Sequence, residues 1–230
     1  MATRRSRRRS EAAPRLRVLA PGAPGPSEPG APRARIHAAA LRVFARHGYD
    51  GASLQMIADE VGLHKSTLFH HYRGKLDLAA EAFEAAMERV AERLRPLAEE
   101  ASPRLETLLS VSDALVDHFA AEPDAARMVV WMMTAPSDSD LNLHIGRDDR
   151  HPVVTIFTTL WTWLERAKRA GAIRSVNLRQ TIFNLVGLVV FYPAAAEANY
   201  LSGDEPFSAK ACRIRREELR TVIGRALAPR

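Results

Sequence analysis

The chain has 230 residues, a formal net charge of +6, 47% hydrophobic and 26% charged residues, and one cysteine, Cys212. This ordinary globular usage excludes wholesale disorder, the lone cysteine excludes an internal disulfide framework, and the length suits one large body plus one small module. Charge is unevenly spread: residues 1–75 hold 14 Lys/Arg against 5 Asp/Glu, whereas residues 76–230 hold 19 against 22, so a polyanion-seeking surface belongs to the N-terminal third.

Residues 1–32 combine seven Arg with repeated Pro, Gly and Ala and show no apolar period, which reads as a disordered basic arm. Such an arm is either a solvated tail or a reach along phosphates into a minor groove. The start MATRRSRRRS imitates a basic targeting region, but RLRVLAPGAPG is too short an apolar stretch to complete a secretory signal; the Arg-rich, acid-poor arm leaves an organellar transit peptide open, and the lone Cys212 makes a reducing cytoplasm the simplest expectation.

From Arg33 the pattern turns helical. Ile36, Ala39, Ala40, Val43 and Phe44 share one face, and Gly48 supplies a left-handed stop. Ser53 is placed to cap a short second helix in which Leu54, Ile57, Ala58 and Val61 face inward before Gly62 breaks it. A third helix is expected from Lys65 to Tyr72, burying Leu68, Phe69 and Tyr72. From Val61 to Leu76 there is no Asp or Glu, while Lys65, His70, His71, Arg73 and Lys75 stand beside Ser66 and Thr67. Two short helices joined at Gly62 make a helix-turn-helix whose second helix suits the major groove of duplex DNA. Its N-terminal residues meet base edges there, and Lys65, Ser66 and Thr67 supply donors and acceptors with no carboxylate facing phosphates.

After Gly74 a long fourth helix carries Ala79, Ala82, Phe83, Met87, Val90, Leu94 and Leu97 on one stripe. Pro103 is expected to open the next helix, and further helices fit residues 124–134, 152–170, 178–200 and 207–227, separated by joints such as APSDSD and SGDEP. Strand-like alternation is absent from the pattern, so the class is all-α. The apolar run from Ile182 to Leu201 is interrupted by Asn184, Pro193, Glu197 and Asn199 and reads as a buried helix, with no membrane partner.

The stretch IHAAALRVFARHGYDGASLQMIADEVGLHKSTLFHHYRGKLDLAAEAF resembles the DNA-binding domain of the tetracycline-repressor (TetR) family of transcriptional regulators. The likeness lies in AA-x-x-x-F-A-x-x-G-Y, Ser-x-x-x-Ile-Ala and Gly-x-x-x-x-Thr-Leu-Phe-x-His-Tyr, and covers about residues 35–83. It implies an N-terminal three-helix helix-turn-helix DNA-binding domain (33–78) followed by a C-terminal helical ligand-binding and dimerisation domain (79–230). It further implies that Lys65, Ser66 and Thr67 face bases, that His70 and His71 lie near bases or backbone, and that Ser53, Tyr72 and Lys75 meet phosphates of an operator. His64, Phe69 and Gly74 depart from the family's usual capping hydroxyl, Tyr and Ser/Asn, and His64 is expected to add a cationic contact.

The family likeness also implies an apolar or aromatic effector between the C-terminal helices, for which Phe119, Trp131, Met132, Phe157, Trp161, Leu164 and Tyr192 are candidates. A homodimer is expected through the last two helices, by way of Leu185, Leu188, Val189, Tyr192, Leu219, Val222 and Ile223. Two other classes remain open from the residues: a metal-dependent enzyme using His118, His144 or His151, and a non-specific architectural DNA protein using its Arg-rich arm. No Gly-rich phosphate loop and no GxSxG occurs, so no cofactor is expected.

Overall fold

A computed structural model describes residues 31–136, 139, 150–196 and 205–229. The basic arm up to residue 30, half of the APSDSD joint and the segment after it, including His144, and residues 197–204 lie outside the described residues. The described residues form α-helices and no strand: α1 (Ala31–Gly51), α2 (Leu54–Val61), α3 (Lys65–His71), α4 (Lys75–Glu99), α5 (Leu105–Ala121), α6 (Pro123–Thr134), α7 (Pro152–Arg169), α8 (Leu178–Ala195) and α9 (Ala209–Leu227).

The apolar stripes seen in the sequence explain this arrangement. Ile36, Ala39, Ala40, Val43 and Phe44 of α1, Leu54, Ile57 and Ala58 of α2, and Leu68 of α3 are buried together and form the small N-terminal unit. Gly48 has φ 68°, so α1 kinks there before its last few residues. Helix α4 is the spine: it packs on α1 on one side and on α5, α6 and α7 on the other. Four of its alanines (Ala79, Ala80, Ala82, Ala86) are buried and permit this close approach. Helix α9 lies along α5, tied by Arg216 to Asp117 and by Arg220 to Glu106 and, at 2.7 Å, to Asp113.

One carboxylate joins three helices. Glu100 ends α4 and accepts hydrogen bonds from Thr107 Oγ1 (2.7 Å), Arg104 Nε (2.8 Å) and Trp163 Nε1 (3.1 Å), while Arg166 of α7 donates to its carbonyl and to that of Ala101. Burial pushes its carboxyl up, but the donors from Thr107, Arg104 and Trp163 outweigh that and hold it at about 2, below the ordinary 4.5. A depressed carboxylate contributes stability that is fully present above pH 4.5 and is lost as pH falls toward 2. The urea midpoint should therefore fall steeply across that window, and Glu100→Gln should both lower it at pH 7 and flatten its pH dependence.

Two expectations are corrected here. Pro103 does not open a helix, because α5 begins at Leu105 after an extended Arg104. Helix α8 is not a buried helix: Phe183, Phe191 and Tyr192 are exposed, Phe191 to 66%, so its apolar residues outnumber what one core-facing stripe can hide. By length and composition alone α8 passes for a membrane span, but its inner face packs on α6 and α7.

Candidate functional site

The helix-turn-helix is built from its caps. Ser53 Oγ accepts the N–H of Met56 at 3.2 Å and starts α2. Gly62 then turns left-handed (φ 70°, ψ 31°), its N–H bonding the carbonyls of Ala58 and Asp59, and Leu63 N–H bonds Ala58 O at 2.9 Å. A side chain at that φ is strained by roughly 1–2 kcal/mol, which is why glycine stands there. His64 begins α3 through its backbone, which accepts from Thr67 N–H at 2.9 Å, and makes no side-chain cap.

Leu68 is fully buried and pegs α3 to the unit beneath. With that face fixed, His64, Lys65, Ser66, His70 and His71 are exposed and Thr67 is half-buried. Gln55, Asp59, Gly62, His64, Lys65 and Ser66 border a shallow groove where the two helices meet. The arrangement offers hydroxyls, an ammonium and imidazoles from one rigid element, without a carboxylate on α3 itself. Gln55 is an exposed donor that the sequence pattern did not single out; its place in the first turn of α2 was the available signal.

Three residues of this region are placed differently from expectation. Phe69 is 53% exposed, because Leu68 and Tyr72 already fill the one face a seven-residue helix can bury, and Lys65 Nζ lies 5.7 Å from its ring. Tyr72 is buried against His37 and Arg33, so its hydroxyl does not face outward to a phosphate, and burial raises its pKa. Lys75 does not point outward either. Its ammonium donates to the carbonyls of Tyr49 (2.8 Å), Ala52 (3.2 Å) and Asp50 (3.4 Å) and sits 4.5 Å from the Tyr49 ring centroid.

Lys75 thus closes the orphan carbonyls after the α1 kink. Hydrogen bonds of a charged donor contribute about 1.5–3 kcal/mol, and each kcal/mol is worth roughly 2–4 °C at this size. Lys75→Ala is therefore expected to lower the midpoint of thermal unfolding, followed by circular dichroism, by roughly 5 °C, whereas the exposed Lys65→Ala leaves it unchanged.

Between α4, α5, α6, α7, α8 and α9 lies a cavity of about 110 Å³. Phe119, Met132, Met133 and Phe157, from the bulky soft side chains concentrated in the C-terminal body, line it, together with Phe83 and Met87, which the sequence did not single out for it. Trp131, Trp161, Leu164 and Tyr192 do not line it. Trp131 turns the other way and stacks on Tyr49 at 5.8 Å between centroids; Trp161 is 45% exposed; Leu164 is buried outside the lining; Tyr192 lies on the outer face beneath Arg215. Sequence reading picks bulky residues, but adjacent positions on a helix point about 100° apart. That separates Trp131 from Met132.

The candidate interface residues divide the same way. Leu185, Val189, Leu219 and Ile223 are buried within the chain, three of them against the cavity, and so do not form an outer face. Leu188 is half-buried, and Tyr192 and Val222 are exposed. The large exposed apolar residues of these helices are Phe183, Phe191 and Tyr192 on α8, the first two eight apart around Gly187, and Ile214 and Val222, eight apart on α9. Spacings of four and eight recur on one face.

Among the described residues no three potential metal ligands come together. His151 Nδ1 caps α7 by accepting from Val153 N–H at 3.2 Å. His118 is buried with Nδ1 3.8 Å from Glu122, and burial, with Arg93 and Arg89 nearby, keeps its pKa below the ordinary value despite that carboxylate. His144 lies outside the described residues.

Residues 36–82 match the sequence model of bacterial regulatory proteins, tetR family. A stretch of 104 residues, 45% of this chain, is 33% identical to the HTH-type transcriptional repressor SCO4008 of Streptomyces coelicolor and covers 50% of it. The chain spans about half the length of the curated relatives it matches. The ketosteroid transcriptional regulator KstR2 of Mycobacterium tuberculosis superposes with TM-score 0.67 at 15% identity, over 88% of this chain and 98% of its own. The transcriptional regulator FadR from Bacillus subtilis in complex with stearoyl-CoA superposes with TM-score 0.61 at 20% identity, over 80% and 96%. At these identities the likeness establishes the fold, and the matched relatives are regulators rather than enzymes.

Proposed function

We propose that this chain, whose residues 36–82 carry the tetR-family helix-turn-helix, is a transcriptional repressor that binds a palindromic operator as a homodimer and is released by a small apolar effector. The observation that carries the reading is α3: an acid-free helix pinned by Leu68, with Lys65 and Ser66 exposed and Thr67 at the edge of its first turn. In this reading those three side chains meet base edges, and His64, His70 and His71 flank them near the backbone. Ser53 keeps its capping role and presents its exposed edge to a phosphate.

A single module grips a half-site weakly, and pairing doubles the contacts at a fixed spacing. The exposed apolar residues of α8 and α9 are the natural seam for that pairing. Phe183, Phe191, Tyr192, Ile214 and Val222 leave water there, with Leu188 at the margin. Dimer formation then sets two α3 helices roughly 34–36 Å apart, one duplex turn. The cavity supplies the effector site, since a guest that favours one arrangement of the surrounding helices shifts the population between binding and non-binding forms.

The test is recovery of duplex DNA from a random pool by the full-length protein, followed by footprinting. A two-fold symmetric site protected on one face of the duplex is the expected product. Recovery without any preferred sequence would instead favour an architectural protein working through its Arg-rich arm.

A further inference from the structure

We infer that the cavity selects an uncharged, mostly hydrocarbon guest carrying a single hydrogen-bonding group, and that Ser112 Oγ receives that group. The inference rests on the effector-released reading above and specifies the chemistry of its ligand.

The lining decides the charge. Phe83, Met87, Val129, Met132, Ile156 and Leu185 are typical of it, and Ser112 is the one polar side chain among the described residues that border it. No Lys, Arg or His among those residues meets a carboxylate or phosphate, and no Asp or Glu meets an amine. A charged head seated here would give up its hydration with nothing in return, and ions are excluded from such sites for that reason.

Ser112 decides the rest. It lies in the middle of α5 with 4% of its surface exposed, and its hydroxyl makes no hydrogen bond. Buried polar atoms are nearly always paired, so an unpaired hydroxyl bordering an apolar cavity marks where a partner goes. Water is a poor occupant. Buried waters make about three hydrogen bonds, and this site offers one polar side chain. An organic molecule with one hydroxyl or carbonyl pairs with Ser112 while its carbon frame fills the remainder.

Size is set by volume and by the walls. An apolar cavity of roughly 150 Å³ accepts a benzene ring, so about 110 Å³ suits a short chain as it stands and a single ring once the walls give a little. Met87, Met132 and Met133 border the space, and methionine's three rotatable bonds let such walls adjust to a somewhat larger one.

Three ethyl-substituted single-ring probes separate the possibilities: 4-ethylphenol, ethylbenzene and the 4-ethylbenzoate anion, titrated at pH 7.5 by calorimetry into the full-length protein and into Ser112→Ala. Both neutral probes should bind, with the benzoate at least a hundredfold weaker than the phenol. In Ser112→Ala the affinity for ethylbenzene should stay within twofold of wild type, while the ratio of phenol to ethylbenzene affinity drops about tenfold. Tight benzoate binding, failure of both neutral probes, or a phenol preference that survives Ser112→Ala overturns the inference, the last because the hydroxyl would then be serving its own helix. Operator recovery is measured on ligand-free protein and stands apart. A charged effector that releases DNA would sink the neutral guest and leave the repressor reading intact.

Discussion

Lys65→Ala is expected to weaken binding to the selected operator by about 2–6 kcal/mol, because a good base contact contributes about 1–3 kcal/mol and the dimer makes it twice. That is a loss of at least thirtyfold, read by fluorescence anisotropy on the operator and on a scrambled duplex of the same length. The scrambled duplex should lose far less, since it retains the phosphate contacts that supply non-specific affinity. Thermal unfolding of the variant should match wild type: Lys65 is exposed, and its contact with the Phe69 ring is a surface one. Equal losses on both duplexes would assign Lys65 to a phosphate instead. No loss on either would mean that α3 does not enter the groove.

Phe191→Arg is expected to convert the dimer to monomer and to lower operator affinity by a hundredfold or more, with the monomer still folded. At 66% exposure Phe191 contributes little to its own chain's core, so the substitution leaves that core alone. In a two-fold interface the new charge would appear twice, unpaired and desolvated, and each half-site would then bind without the gain from linkage. Sedimentation equilibrium together with operator titration checks it. A variant that stays dimeric and binds fully would put the interface elsewhere. Leu219→Ala is the contrasting case: Leu219 is buried within the chain, and its truncation should unfold the protein at lower temperature while leaving the subunits associated.

The residues differ in how much of this is legible from sequence. Leu54, Ile57, Ala58 and Gly62 are legible because a short helix with one apolar face and a left-handed stop has few alternatives, and the burial of Leu68 follows from the same period. Lys75 is not, because nothing in sequence separates a lysine aimed at phosphates from one folded back on carbonyls twenty-odd residues earlier. For Leu185, Val189, Leu219 and Ile223, apolar periodicity identifies the inner stripe of α8 and α9 and mistakes it for the outer one. Phe183 and Phe191, which face outward, belong to one of the same helices, and only tertiary packing tells which stripe is already covered. Ser112 is invisible for a similar reason: one serine in a helix of seventeen residues acquires meaning only when five other helices leave space in front of it.

Tyr49 and Trp131 lie ring against ring while Met132, the next residue along α6, borders the cavity. The carbonyl of that same Tyr49 is held by Lys75, the first residue of α4, the helix that follows α3. In the proposed reading, the cavity and the helix-turn-helix are therefore joined through Met132 and Trp131, the Tyr49 ring and the Lys75 ammonium. Evolution has a ready dial in such a joint, for trimming the Trp131 ring would alter how strongly the two ends feel each other while touching neither guest nor duplex.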